Sequence, residues 1–304
     1  MIFNKINQGL SIMAKANLEN EKFGIEIEIC GASRAKIASE VAAALNGRIT
    51  ARNEGPYQTY TVRDDQGRDW KIMNDGSLAV VNGHKGSEIV TPVLTYPQDL
   101  EYLKKVAQAL KDAKTIPHKS GSIHVHIDTK NHTIKSLSNL AKMVYKNEDI
   151  IFQALKVLPE RKARFAKPMN PDFINKIANK MPKDKRELNE YWYGYYNPNP
   201  QHYHNSRYVG MNYNCFWGST ESLELRYFNA SSNPEKIISY LQFALCLSVK
   251  ARNSKSTSHQ KIQTDNPKFN FRVWLVSGLG MVGDEFKNAR YYLTRNLEGN
   301  SAWR

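Results

Sequence analysis

Four short runs constrain this chain more than anything else in it: FGIEIE (Glu26, Glu28), GSEIVTP (Glu88), GSIHVHID (His124, His126) and LELRYF (Glu224, Arg226). Most of them alternate polar and apolar residues. On a strand, residues two apart share a face. Glu26 with Glu28, His124 with His126, and Glu224 with Arg226 therefore each lie about 6.5–7 Å apart along one side. Ionisable groups repeated on one face of several strands are costly unless something pairs with them. Divalent cations and a phosphate-bearing substrate would do so.

The rest of the chain supports a sizeable core. It has 304 residues, 41% hydrophobic and 11% aromatic, which is more than a disordered chain carries. Its net charge of +14 suits acidic partners such as nucleotide phosphates, nucleic acid or acidic protein, although a solvated basic surface gives the same number. Cys30, Cys215 and Cys246 are odd in number and widely spaced, against a disulfide framework or a thiolate zinc site. This usage fits a cytoplasmic location. Residues 1–20 read as a loose amphipathic leader without the apolar core of a signal peptide. The longest apolar stretch, Ile237–Val249, is too short to span a bilayer and reads as a buried helix.

Strands are expected at Phe23–Cys30, in the block TYTVRDDQGRDWKI with a turn at Asp65-Gln66-Gly67, in DGSLAVVNGHKGSEIVTP, in SIHVHID, and in NYNCFWG and SLELRYF. Helices are expected after Ser33, over YPQDLEYLKKVAQALKDA, over HTIKSLSNLAKMVYKNEDIIFQAL, over EKIISYLQFALCLSVKARN with a cap at Ser232 or Asn233, and twice around a glycine turn at the end. Residues 254–268 read as a polar loop. The stretch 156–205, rich in Lys, Arg, Pro and then Tyr, reads as a basic and aromatic insertion of one or two short helices projecting from a single domain over 21–304. Mixed order with hairpins, rather than strict β-α-β alternation, predicts an α+β fold on a largely antiparallel sheet.

Each motif has an ordinary reading beside the chemical one. An E-x-E strand can be a solvated face, as can the glutamate of GSEIVTP. Acidic oxygens also suit Mg2+, which takes one or two carboxylates together with substrate phosphates. An H-x-H strand can be a pair of edge histidines, metal ligands, or the start of a zinc hydrolase site. Glu224 and Arg226 can be a plain ion pair, or a metal ligand beside a phosphate-binding guanidinium. Arg207, in NSRYVGMN, can add a second phosphate contact or sit on the surface. His202 and His204 read as structural or surface residues. GLGMVG (Gly278, Gly280, Gly283) matches G-x-G-x-x-G but lacks the β-α-β context of a dinucleotide site, so it reads as a helix–helix turn. The basic run from Lys156 to Arg186 carries no nucleic-acid-binding signature, which ranks nucleic acid below small substrates as a partner.

In order, FGIEIE, DGSL, GSEIVTP, GSIHVHID, RYVGMN, SLELRYFNAS and the closing GLGMVGDEFKNARYYL and LEGNSAW resemble the amidoligase family of the carboxylate–amine/ammonia ligase superfamily. The resemblance runs from about Glu21 to Trp303 and is weakest over 156–200. It implies a glutamine-synthetase-like catalytic domain, a curved antiparallel sheet packed with helices. It also implies ATP and Mg2+ or Mn2+, and an amide or peptide bond made through an acyl phosphate. Carried over residue by residue, it makes Glu26, Glu28, Glu88, His124 and Glu224 metal ligands. His126 becomes their neighbour facing nucleotide or substrate, Arg226 the arginine on the transferring phosphate, and Arg207 a further phosphate or substrate contact. The expected partners are a carboxylate and an amine, on an amino acid, peptide or protein. A metal-dependent hydrolase using the H-x-H strand, and a non-catalytic binding module with a basic surface, are the alternatives.

Overall fold

The computed structural model describes residues 15–300 apart from position 219. Most of the expected leader and the last residues of the LEGNSAW tail lie outside the described residues.

Among the described residues one open antiparallel sheet organises the chain. Across it run β2 (Arg48–Arg52), β3 (Tyr60–Arg63), β4 (Asp69–Asn74), β5 (Ser87–Val90), β1 (Lys22–Ile29), β7 (Ser122–Asp128), β9 (Ser222–Asn229) and β8 (Met211–Asn212). The short β6 (Leu94–Thr95) pairs with the start of β1. The motif-bearing strands β5, β1, β7 and β9 are therefore neighbours. On β1 the alternation resolves as expected: Ile25, Ile27 and Ile29 are at most 1% exposed, while Glu26 and Glu28 take the other face. Each such isoleucine contributes about 1.5–3 kcal/mol through burial, which fixes which face the acids occupy.

Helices cover the apolar face. The helix α1 (Arg34–Ala44), capped by Ser33 Oγ accepting from Lys36 N, packs against β2, β3 and β4. The helix α8 (Pro234–Asn253), capped by Asn233, packs against β7 and against α2 (Leu100–Asp112), α3 (Ile134–Ala154) and α10 (Lys287–Thr294). No helix among the described residues is long and apolar enough to cross a membrane. The β3–β4 hairpin turns through Gly67 in left-handed backbone, and Asp64 accepts from Gln66 N, Arg68 N and Trp70 Nε1. At the end of the chain, α9 (Pro267–Val273) and α10 flank the glycines at 278, 280 and 283, a helix–turn–helix arrangement as expected.

Three expectations are corrected. Residues 48–52, not expected as a strand, form the exposed edge β2. The expected strand over NYNCFWG is only Met211–Asn212 followed by the helix α7 (Asn214–Trp217), because Asn212 Oδ1 accepts from Asn214 N and turns the chain. The stretch 156–205 does not project. It holds α4 (Pro159–Arg164), α5 (Pro171–Asn179) and α6 (Lys185–Tyr193), and α5 packs on α3. Phe173 and Trp192 stack edge-on 5.0 Å apart and both meet Tyr213, so widely spaced apolar residues anchor a segment whose composition is basic.

Candidate functional site

Strand register, more than sequence distance, assembles the site. Glu28 on β1 stands opposite Glu88 on β5, Glu26 opposite His124 on β7, and His126 opposite Glu224 on β9, which in turn faces Asn212 on β8. Directly opposed residues hold their Cβ atoms about 4.5–5.5 Å apart, so their polar ends meet. Glu28, His124, Glu224 and Arg226 are buried, and Glu26, Glu88 and His126 half-buried.

The contacts are dense. His124 Nδ1 is 2.8 Å from Glu26 Oε2 and 3.2 Å from Glu224 Oε1, and its Nε2 is 2.8 Å from Ser122 Oγ. Ser122 donates to Glu28 Oε2 at 2.5 Å. His126 Nε2 is 3.1 Å from Glu26 Oε1. Asn212 Nδ2 donates to Glu224 Oε2 at 2.7 Å, and Arg226 Nη1 donates to Glu224 Oε1. The Arg226 guanidinium is held from a second side, where Nε donates to the Phe165 carbonyl at 3.0 Å.

The acids divide into two electrostatic classes. Burial would raise Glu26, but His126 and hydrogen bonds from both histidines hold it well below the usual carboxylate range. Glu224 goes the same way, down to about 2, because Arg226, His124 and His126 outweigh its burial. Glu88 goes the other way: burial, then repulsion from Glu26 and Glu28, push it well above the ordinary value. His126 is raised, burial notwithstanding, by Glu26. Negative charge is thus in excess at Glu88, whereas the histidines balance Glu26 and, with Arg226, Glu224.

Of these residues Glu26, Glu28, Glu88, Ser122, His124 and Arg226 line a cleft of about 480 Å³, with Glu224 and His126 just behind them against His124 and Glu26. Arg207 and His202 reach the same cleft from the aromatic stretch, with Tyr203 and Tyr208. His202, expected to be structural or surface, is exposed as expected and also lines the cleft. The guanidinium of Arg207 lies 5.4 Å from the Tyr203 ring and donates to the His202 carbonyl at 2.9 Å. His204 turns away to cap the short 3-10 turn Asn205–Arg207. Two cleft residues escaped the sequence reading. Asp75 belongs to DGSL, whose acid could have been counted with the glutamates. Arg161 sits in the basic run, where nothing marks it among its neighbours.

The donor set fits hard divalent cations. Three groups bring one ligand atom from each member within 4.8 Å of the others: Glu26 with His126 and Glu224, Glu26 with Glu88 and His124, and Glu28 with Asp75 and Glu88. Carboxylate oxygens dominate each group and no group holds more than one imidazole, which suits Mg2+ or Mn2+ better than a histidine-rich zinc site. The unrelieved repulsion at Glu88 is what a cation between these carboxylates would remove.

Comparison with known proteins adds one finding. A family model described as "Putative amidoligase enzyme" matches residues 19–248, which covers every strand and every acid, histidine and arginine named above. No curated protein matches the chain.

Proposed function

The chain belongs to this amidoligase family, and on that premise we propose that it is an ATP-dependent carboxylate–amine ligase on a glutamine-synthetase-like catalytic domain. A carboxylate oxygen of one substrate attacks the γ-phosphorus of ATP as the bond from that phosphorus to the β–γ bridging oxygen breaks, releasing ADP. The amine nitrogen of the second substrate then attacks the acyl carbon, the acyl carbon–oxygen bond to phosphate breaks, and the nitrogen gives up a proton. Phosphoryl transfer of this kind needs positioning and charge neutralisation more than a protein nucleophile.

One observation carries the reading: three overlapping acid-rich donor groups converge beside a fixed guanidinium in one cleft. Glu26, Glu28, Glu88, His124 and Glu224, with Asp75, would hold Mg2+ or Mn2+, which when bound neutralises phosphate charge. Arg226, locked between Glu224 and the Phe165 carbonyl, presents its plane without having to reorganise. Arg207, which also lines the cleft, suits a second phosphate or substrate anion, and His126, beside Glu26, suits nucleotide or substrate. The carboxylate and amine are those of an amino acid, peptide or protein. The hydrolase alternative is less favoured because each donor group holds at most one imidazole.

The test is ADP release from ATP in the presence of Mg2+ or Mn2+, carboxylic acids and amines, with the amide product identified by mass. Amide formation that needs ATP supports the ligase. Failure of the protein to bind ATP with metal, or amide cleavage without ATP, overturns it.

A further inference from the structure

We propose that Arg161 is an anion-binding residue of the cleft, sharing with Arg226 the oxygens of the phosphoryl group in transfer. The inference rests on the ligase reading for the identity of that anion. Its starting point is an anomaly in α4. In the run Arg161-Lys162-Ala163-Arg164, Lys162 and Arg164 are exposed over the rings of Phe152 and Phe165. Arg161 alone turns inward, 2% exposed, and lines the cleft.

Its environment does not neutralise it. Nη1 donates to the Phe228 carbonyl at 2.7 Å and Nη2 to the Arg226 carbonyl at 2.9 Å. Both acceptors are uncharged. A guanidinium has five N–H donors, so three remain. Among the described residues no carboxylate lies within ion-pair distance of it. Burial lowers its pKa to about 10, with Glu28 opposing and Arg226 adding to the fall, so it stays charged at neutral pH.

A buried cation beside a second cation is costly unless an anion completes it. The same short helix holds that second cation in place, since Phe165, the residue after α4, accepts from Arg226 Nε. One element thus delivers one guanidinium and aims the other, and both line the cleft that Glu26, Glu28 and Glu88 also line. An oxyanion lying between a cation-binding wall and two guanidinium planes satisfies both sides. A transferring phosphoryl group, with three peripheral oxygens, has that form. Nor is the position replaceable by lysine: an ammonium cannot hold two backbone carbonyls and still present a planar donor pair.

The experiment uses the full chain, with calorimetric titration of Mn2+ alone and then of ATP with Mg2+, on wild type, Arg161→Lys and Arg161→Gln. Wild type binds ATP with Mg2+. The variants keep wild-type Mn2+ affinity and bind ATP about 10–100-fold more weakly, the loss of a charge-assisted contact. Variants that keep Mn2+ affinity and bind ATP as wild type does overturn the role of Arg161 and leave the ligase reading standing. No ATP binding by wild type overturns the ligase reading and this inference with it. Should both variants fail to fold, a wild-type crystal soaked with inorganic phosphate and Mg2+ decides: an oxygen within about 3.2 Å of an Arg161 nitrogen supports the assignment, and an Arg161 bonded only to carbonyls overturns it.

Discussion

Replacing Glu88 with glutamine should make the metal-free protein more stable and the metal-bound protein less so. Glu88 stands opposite Glu28 and brings an oxygen within 4.8 Å of Glu26 and of Glu28 in separate groupings. At that distance and an effective dielectric of 20, each like-charge pair costs about 3.5 kcal/mol. Glu88 escapes part of this by keeping its proton, and its pKa stands well above the ordinary value. The sign follows. A carboxyl whose folded pKa exceeds its unfolded value contributes most below the unfolded pKa, near 4.5, and loses that contribution as pH rises toward the folded one. The loss is about 1.36 kcal/mol per pH unit. Between pH 5 and 7 the wild type in EDTA should therefore lose up to about 2.7 kcal/mol relative to Glu88→Gln. That is a melting difference of about 3–8 °C. Mn2+ at about a thousand times its dissociation constant should reverse the order, since wild type then gains about 4.1 kcal/mol while the amide binds the ion poorly. Melts of both proteins, at both pH values, with EDTA or Mn2+, give the four comparisons needed. A variant no more stable than wild type in EDTA at pH 7, or equally stabilised by Mn2+, refutes the reasoning.

Other expectations are narrower. Glu26→Ala and Glu224→Ala should abolish ATP-dependent turnover while the protein stays folded by circular dichroism; full activity in either would remove that residue from the site. Arg226→Lys should lower turnover at least about 100-fold, because an ammonium cannot serve Glu224 and the Phe165 carbonyl and still offer a flat face. His132, bonded through its two nitrogens to Ser136 and Ser248, is pushed down to about 3 by burial and by Arg252. Its folded value lies below the unfolded 6.5, so stability falls as pH drops from 6.5 toward 3. By pH 5 the wild type should lose about 2 kcal/mol that His132→Gln does not lose, as urea titration would show. Tyr227→Phe removes a 2.8 Å bond to buried Glu148, which also accepts from Met169 N, and should cost about 1–2 kcal/mol in the same assay.

The site's raw materials were legible because strand alternation is written into the sequence. Ile25, Ile27 and Ile29 declare which face of β1 is inside, and so where Glu26 and Glu28 must point. Register is not legible. Nothing in GSEIVTP says that Glu88 faces Glu28, rather than sitting two residues along, since pairing depends on strands far apart in the chain. The misreadings share a physical cause. Asn212 breaks the expected strand by capping the next turn, a local hydrogen bond that outbids the strand propensity of the aromatic residues after it. In 156–205, basic composition concealed Phe173, Ile174, Ile177 and Trp192, whose helical spacing buries them. Arg161 had no signal at all, because an inward arginine and an outward one look alike until the helix is placed. Asp75 did have a signal, an acid beside glycine in a motif already singled out.

The opposed pairs across β5, β1, β7 and β9 also set a rule of parity for altering this protein. Adding or deleting one residue within any of these strands would swing its carboxylates or imidazoles into the oily layer beneath the helices and thrust isoleucines into the cleft. A two-residue change keeps each side chain on its own side and only slides it along. Length changes by twos should therefore leave a folded protein with a displaced centre, whereas a single-residue change should undo the centre unless a bulge absorbs it, as happens already where β9 passes Ile123 and Val125 of β7.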